Sequence, residues 1–362
     1  MVRRVIVRVE SQVKRMTFIS SAMKKIIALF SGFLCLVACN QKIENPETDT
    51  LQKVFLTLNA NSPELANAGG TRTEIHMSDG EIHPWWSKGD AIGLYHPIDN
   101  WDVEFDEFTS SLTSSSDRAS FSGNTLARPE ENGGLKTIAF YPYASHVETV
   151  LDYNTYEYIP KNYRITADDV ELRFEIPYQQ YPTETSFDPS VDLLISDPFY
   201  IIGNEQGGKT YNGSVGNDIS FNRMNAILRL VLIDESGVLA GNICSYVGIG
   251  SFSSQLSGIA YSSLMKGSNS GYSEIESSGN EENDHSIYAV YGDQHVFGAE
   301  ETIVWMVTIP TVLEAGSLLY IVGGSETGFS KQITLPKDIP LPAGLVTTLN
   351  IHINQDDIWE EN

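Results

Sequence analysis

The chain has 362 residues, with 23 basic against 47 acidic side chains, a formal net charge of −24 and 41% hydrophobic content. An acidic balance of this size argues against nucleic acid and against anionic membrane surfaces as partners. Its three cysteines, Cys35, Cys39 and Cys244, are too few for a disulfide framework, so stability has to come from packed apolar cores.

Lys24 and Lys25 are followed by 13 uncharged residues, Ile26 to Ala38. A positive segment, an apolar segment and small residues before a cleavage point make a secretory signal peptide. The apolar run is shorter than the ~20 residues that span a bilayer. Leu36-Val37-Ala38-Cys39 resembles the lipobox of bacterial lipoproteins. That resemblance implies acylation of Cys39, which becomes the first residue of the mature chain. An uncleaved anchor or an ordinary signal is the alternative. Met23 is the natural start for such a signal, so residues 1–22 are expected to be a start-codon artefact, with a longer n-region as the other possibility. Loss of residues 1–38 removes seven basic residues and one acid, leaving 16 basic against 46 acidic, a balance of −30.

Residues 39–52 are polar, contain Pro46 and read as a tether. Asp49-Thr50-Leu51 resembles a short bacterial O-glycosylation sequon, although three residues match by chance often. Val54-Phe55-Leu56-Thr57-Leu58-Asn59 alternates, which predicts a half-buried strand with Val54, Leu56 and Leu58 on one face. Residues 61–71, with Pro63, Gly69 and Gly70, read as loop. The turn signal Lys88-Gly89-Asp90 opens a strand through Ile92, Leu94 and Tyr95. Short apolar runs then recur between Gly, Ser, Asn and Pro clusters, at Ser120–Ser122, Thr137–Tyr143 and Val170–Pro177. This spacing predicts an all-β protein of sandwiches or barrels. Gly203 to Asn217 is the expected domain junction, giving an N-terminal domain at 53–205 and a C-terminal domain at 206–362. In the second part, residues 219–233 are long and mostly apolar. Ile303–Pro310 is apolar on both faces and is expected to be a central strand, paired with Leu318–Val322 through the Glu314-Ala315-Gly316 turn. Gly267–Asp284 reads as a long exposed loop. Leu349, Ile351 and Ile353 share one face of a final alternating strand.

Thr71-Arg72-Thr73 and Trp86-x-x-Gly89-Asp90-x-Ile92-Gly93-x-Tyr95 resemble segments of the fimbrillin family, the type V pilins and their accessory subunits. Further matches follow in order: Ala139–Tyr143, Ile176-Pro177-x-x-Gln180, Asp192-Leu193-Leu194, Phe221–Leu228 and Pro342-Ala343-Gly344. The ordered set spans the mature chain. Asn222, where a His often follows the Phe, and the extra Trp85 depart from the pattern and leave the subfamily open. The resemblance implies two tandem transthyretin-like β-sandwiches, export to the outer membrane and cell surface, and assembly with other fimbrial subunits by β-strand exchange. It also implies trypsin-like cleavage in the loop after the first strand. Here the cleavage pair would be Arg72 and Thr73, Arg72 being the one arginine between Cys39 and Trp85. The strands open to exchange are then the first, through Val54, Leu56 and Leu58, and the last, through Leu349, Ile351 and Ile353. For the last, the plain alternative is a strand that stays in its own domain. Stalk, tip and anchor roles stay open.

Seven histidines are scattered with no metal-ligand spacing, and no nucleophile elbow or dinucleotide loop is present. No enzyme, cofactor or metal is expected. His83 and His96 flank one predicted hairpin, where isolated histidines are usually surface or satisfied residues. The rival reading is a surface glycan-binding lipoprotein, with Trp85, Trp86 and Trp101 stacking on sugar rings. Neighbours on a strand face opposite ways, so one of Trp85 and Trp86 is expected in the core. A host protein or glycan is the adhesion partner that either reading admits.

Overall fold

Short apolar and alternating runs recur from Val54 onward, and a computed structural model shows them folding as strands where its residues are described. The structure describes residues 51–61, 74–78, 81–97, 105–130, 133–143, 148–152, 157–161, 163–165, 169–206, 209–216, 218–267, 271–276, 284–291, 295–299, 301–323, 329–354 and 359–360. All of them belong to one compact unit, Leu51–Asn362. Helix among them is confined to short turns such as Pro189–Val191. The fold is all-β, as the sequence predicts.

The first strand, Gln52–Asn61, pairs antiparallel with Arg118–Pro129 from Gln52↔Ala127 to Asn61↔Arg118. On its other side it meets Lys209–Val215 in parallel at Phe55↔Asn212. From there the pairings pass through Phe199–Gln206, Leu135–Tyr141, Ala91–Tyr95 and Phe105–Ser110, and return to Arg118–Pro129. The nine-stranded sheet therefore closes on itself around a core, with Leu194–Ser196 and Phe221–Arg223 as an added flank. Trp86 sits in that core fully buried, edge-to-face with Phe121 at 4.7 Å, Phe221 at 5.7 Å and Tyr141 at 5.9 Å.

A second core lies in a sandwich. Its thinner layer is Ala226–Asp234 between Glu301–Thr308 and Val346–Ile353. The facing six-stranded layer includes Ser286–Val290, Cys244–Gly250, Leu318–Gly323 and Phe329–Thr334. Leu228, Leu230 and Leu232 meet Val247, Ile249, Leu319 and Ile321 there. Ile227, on the opposite face of the same strand, joins Trp305 and Val307 in a third core with Phe140, Ile195, Leu172 and Phe174. A sheet covered on both faces needs apolar residues at consecutive positions, which is why Ala226–Asp234 and Glu301–Thr308 read as continuous apolar runs. Cys244 is buried in the second core, and burial alone pushes its thiol up to about 12.

Several expectations need correction. The boundary at 205/206 falls inside a hairpin, because Phe199–Gln206 pairs with Lys209–Val215 up to Gln206↔Lys209. The Gly- and Asn-rich stretch there joins two paired strands, and residues through Phe221–Arg223 stay with the first sheet. Conversely, Val170–Ile176 pairs with Gly258–Ser263, and Gln179–Gln180 with Ser286–Val290, so strands expected in the N-terminal domain join later ones. Part of the expected loop 267–284 is the strand Tyr272–Glu276, whose polar side chains suit an exposed edge. Glu301–Thr308 is an edge strand: its apolar faces report burial above and below, which says nothing of neighbours in the sheet. Leu318–Gly323 pairs with Cys244–Gly250 and Phe329–Thr334 instead of Glu301–Thr308, because Thr311–Leu313 first carries the chain to the other layer.

Candidate strand-exchange site

Alternation places Val54, Leu56, Leu58 and Ala60 on one face of the first strand, and all four are buried, at 3%, 2%, 1% and 0% exposure. They contribute to the core that holds Trp86, Ile92, Leu94, Phe108 and Phe121. Phe55, on the outer face, is 57% exposed. Close approach on the inner face is enforced by Gly213, where an added Cβ would come within 2.9 Å of Val54 Cγ2. At the far end of the strand the Ile219 amide donates to the Asn59 carbonyl at 2.8 Å, and Ile219 bridges Ala60. On its outer face, Thr57 shares a hydrogen bond with Ser122 at 3.0 Å, and Ser120 donates to Asn59 at 2.7 Å. The strand is thus an integral, fully apolar-packed member of its sheet. Ala60, Gly213 and Ile219 were missed by sequence reasoning; Ala60 continues the alternation and was there to be found.

A polar cluster sits in this interior. Thr125, cross-strand from Val54, is buried with Thr137 and His96. His96 places Nε2 at 2.7 Å from Thr125 Oγ1 and 3.1 Å from Asp106 Oδ2, and Nδ1 at 3.0 Å from Thr137 Oγ1. Burial pushes the Asp106 carboxyl up, but hydrogen bonds from His96 and Thr125 more than offset this and leave it below the usual carboxylate range. His96 is a satisfied structural histidine, as expected of an isolated one. Among the described residues no group of three or more His, Cys, Asp or Glu is placed to hold a metal ion.

The last strand, Val346–Ile353, pairs in parallel with Ala226–Asp234 from Ile227↔Val346 to Asp234↔Ile353. Ile353 is fully buried, while Leu349 and Ile351 are half-buried against the second core. In this chain it is a member of its own sheet, placed at the sheet's edge. Cys39, Arg72 and Thr73 lie outside the described residues, as do Trp101 and the side chains of Trp85 and His83.

No family model matches the chain, and no curated protein does. Solved structures do match. A candidate cell adhesion protein from Bacteroides uniformis is 14% identical with a TM-score of 0.44, covering 84% of this chain and 94% of its own. A second candidate cell adhesion protein, from Bacteroides ovatus, is 12% identical with a TM-score of 0.47, covering 86% and 97%. The tip fimbrial protein Mfa3 from Porphyromonas gingivalis, with a C-terminal truncation, is 7% identical with a TM-score of 0.33, covering 85% and 97%.

An open trough lies beside the far end of the first strand. It has a volume of about 440 Å³ and is lined by Asp197, Phe199, Tyr200, Asp218, Ile219 and Ser220. Tyr200 is 53% exposed, and Asp218 is held by Arg118 at 2.7 Å. Trp86 is core, as expected of one of the Trp85–Trp86 pair, so the tryptophan platform of the rival reading does not use it.

Proposed function

We propose that this chain is an exported, lipid-tethered structural subunit of a cell-surface fimbria, joined to other subunits by exchange of β-strands. The observation that carries the proposal is the complete burial of Val54, Leu56, Leu58 and Ala60 by a strand at the start of the folded unit. A lipid on Cys39 would hold that strand to the outer membrane, and Arg72 lies between it and everything that follows. Burying Val54, Leu56 and Leu58 contributes ~1.5–3 kcal/mol each, roughly 5–9 kcal/mol together. A typical domain has a total stability of about 5–15 kcal/mol. Cleavage after Arg72 would therefore leave an apolar groove and the unpaired edge of Arg118–Pro129, which strand addition from a neighbouring subunit refills. Adhesion to a host protein or glycan is the expected outcome of such a surface structure. The test is electron microscopy of cells with and without the gene, together with palmitate labelling of Cys39→Ser. Loss of surface filaments in the first and of label in the second supports the proposal; unchanged filaments or normal labelling of the variant refutes it.

One observation favours a second reading, a glycan-binding lipoprotein. The trough combines an exposed tyrosine, Phe199 and carboxylates, and aromatic faces with polar acceptors at the rim suit a sugar. Saturation-transfer NMR with lactose and cellobiose, repeated on Tyr200→Ala, distinguishes it. A saccharide signal that disappears in the variant supports this reading, and no signal from the wild type removes it.

A further inference from the structure

A strand turns the N–H and C=O of successive residues to opposite sides, so one hydrogen bond fixes the direction of all of them. The Ile227 amide donates to the Leu345 carbonyl at 3.0 Å, and the Glu235 amide donates to the Ile353 carbonyl at 3.1 Å. Odd-numbered residues of Val346–Ile353 therefore face Ala226–Asp234. Thr348, Asn350 and His352 direct their backbone groups the other way, where the sheet order ends. Their side chains are exposed, whereas Leu349 and Ile351 face the core half-buried.

Several other sheet margins among the described residues are short, charged or partly blocked. On the opposite margin of the same sheet, Gln180 mimics a strand: its Nε2 donates to the Val307 carbonyl at 2.7 Å, and its Oε1 accepts from the Val307 amide at 2.8 Å. The six-stranded sheet ends in the two-residue strands Gln179–Gln180 and Trp359–Glu360, and Phe329–Thr334 buries Lys331. The four-stranded sheet ends in the three-residue Tyr163–Ile165 and in Tyr272–Glu276, which carries Glu274 and Glu276. Short, charged or blocked edges are how proteins avoid edge-to-edge pairing. Val346–Ile353 has eight residues and no Asp, Glu, Lys, Arg or Pro.

We propose that two copies of this chain pair through this edge, antiparallel about a twofold axis at Asn350. The sequence of the edge is suited to itself. With Asn350 opposite the partner's Asn350, Thr348 lies opposite the partner's His352. All these positions have outward-facing backbone groups, so they exchange roughly six hydrogen bonds. On the core face the same register sets Leu349 against the partner's Ile351, completing the burial of two half-buried side chains. The strip carries no Asp, Glu, Lys or Arg, and the Glu235 carboxylate beside it lies 2.7 Å from His352 Nδ1, so two chains of strongly negative net charge can meet there without like charges directly opposite each other. This pairing leaves the last strand in its own sheet and leaves residues 62–73 untouched, so it is independent of strand exchange.

Sedimentation velocity of residues 39–362 carrying Cys39→Ser tests the proposal, the substitution removing lipid-driven association. A monomer–dimer equilibrium that shifts with concentration is expected. Asn350→Pro removes an outward amide from an edge, where proline is tolerated, and should weaken the dimer by at least ~10-fold with the melting temperature little changed. Asn350→Lys, which sets two like charges opposite each other on an exposed face, should do the same if the proline variant misfolds. Asn350→Cys should form a disulfide-linked dimer on oxidation, because opposed residues of a narrow pair lie ~5.5 Å apart, within disulfide reach. Thr348→Cys should not. A chain that stays monomeric, a dimer indifferent to both Asn350 substitutions, or equal linking by the two cysteine variants overturns the proposal.

Discussion

Asp192 and Arg223 form a bidentate pair, at 2.6 and 3.0 Å, with both side chains 1% exposed. Beside it, Asn225 is fully buried, donates to the Val191 carbonyl at 2.5 Å and accepts from the Tyr272 hydroxyl. These residues belong to the motifs Asp192-Leu193-Leu194 and Phe221–Leu228, which the sequence presents as ordered matches without a reason. The reason is structural: they tie Leu194–Ser196 and Phe221–Arg223 to the strand Tyr272–Glu276 of another sheet. Removing one member strands a buried charge, so Arg223→Met should cost about 3–5 kcal/mol in urea denaturation, and Asp192→Leu with Arg223→Met much less. Glu314 makes a second test. Its carboxylate accepts from the amides of Phe252 and Ser253, both at 2.6 Å, and from the hydroxyls of Ser251 and Ser254. Partial burial pushes its carboxyl up, but these bonds outweigh that and hold it at about 2, against an ordinary 4.5. A depressed carboxyl stabilises the fold above its unfolded value and loses that contribution as pH falls through its folded value. The wild type should therefore melt above Glu314→Gln at pH 7, and the gap should close as pH falls from 4.5 to about 2. A gap that persists below that range would contradict the assignment.

Strands with one buried face were legible in the sequence. Val54, Leu56 and Leu58 alternate and are buried as predicted, and the turn at Lys88-Gly89-Asp90 is present, with Gly89 at φ +85° and Asp90 accepting from the Ser87 amide at 2.8 Å. Sheet neighbours were not legible. Apolar residues on both faces of Glu301–Thr308 reflect the cores above and below it, while at its outer margin a distant side chain, Gln180, takes up the backbone of Val307. No local pattern encodes that hydrogen bond, whose partners lie 127 residues apart. The first strand carries the candidate site, and its packing predicts a specific cost. Leu56→Ala should destabilise the chain by about 2–5 kcal/mol, because Gly213 and the surrounding rings leave little freedom to collapse into the space. Phe55→Ser, on the exposed face, should change stability by less than about 0.5 kcal/mol. Equal effects of the two in chemical denaturation would contradict the observed facing of the strand.

Three cores in series hold the folded unit together, and the middle one is built from both halves of the chain. Tyr95, Phe140 and Ile195 meet Ile227, Trp305 and Ile309 within it, with Phe174 from the four-stranded sheet. Length and a glycine-rich stretch pointed to a boundary near residue 205, because the sequence does not show which strands cross over. A shared core of this kind makes the unit unfold together, so calorimetry of residues 39–362 should show one transition, and Trp305→Ala should lower it as a whole. Two well-separated transitions would contradict this. The central claim is that the first strand can be released and replaced. It is tested most directly by treating the purified chain with an arginine-specific protease, sequencing the new amino terminus and sizing the product. The account predicts a new terminus at Thr73 and conversion of the cleaved chain to polymer. Resistance at Arg72, or cleavage that yields only monomer or degraded chain, would contradict it.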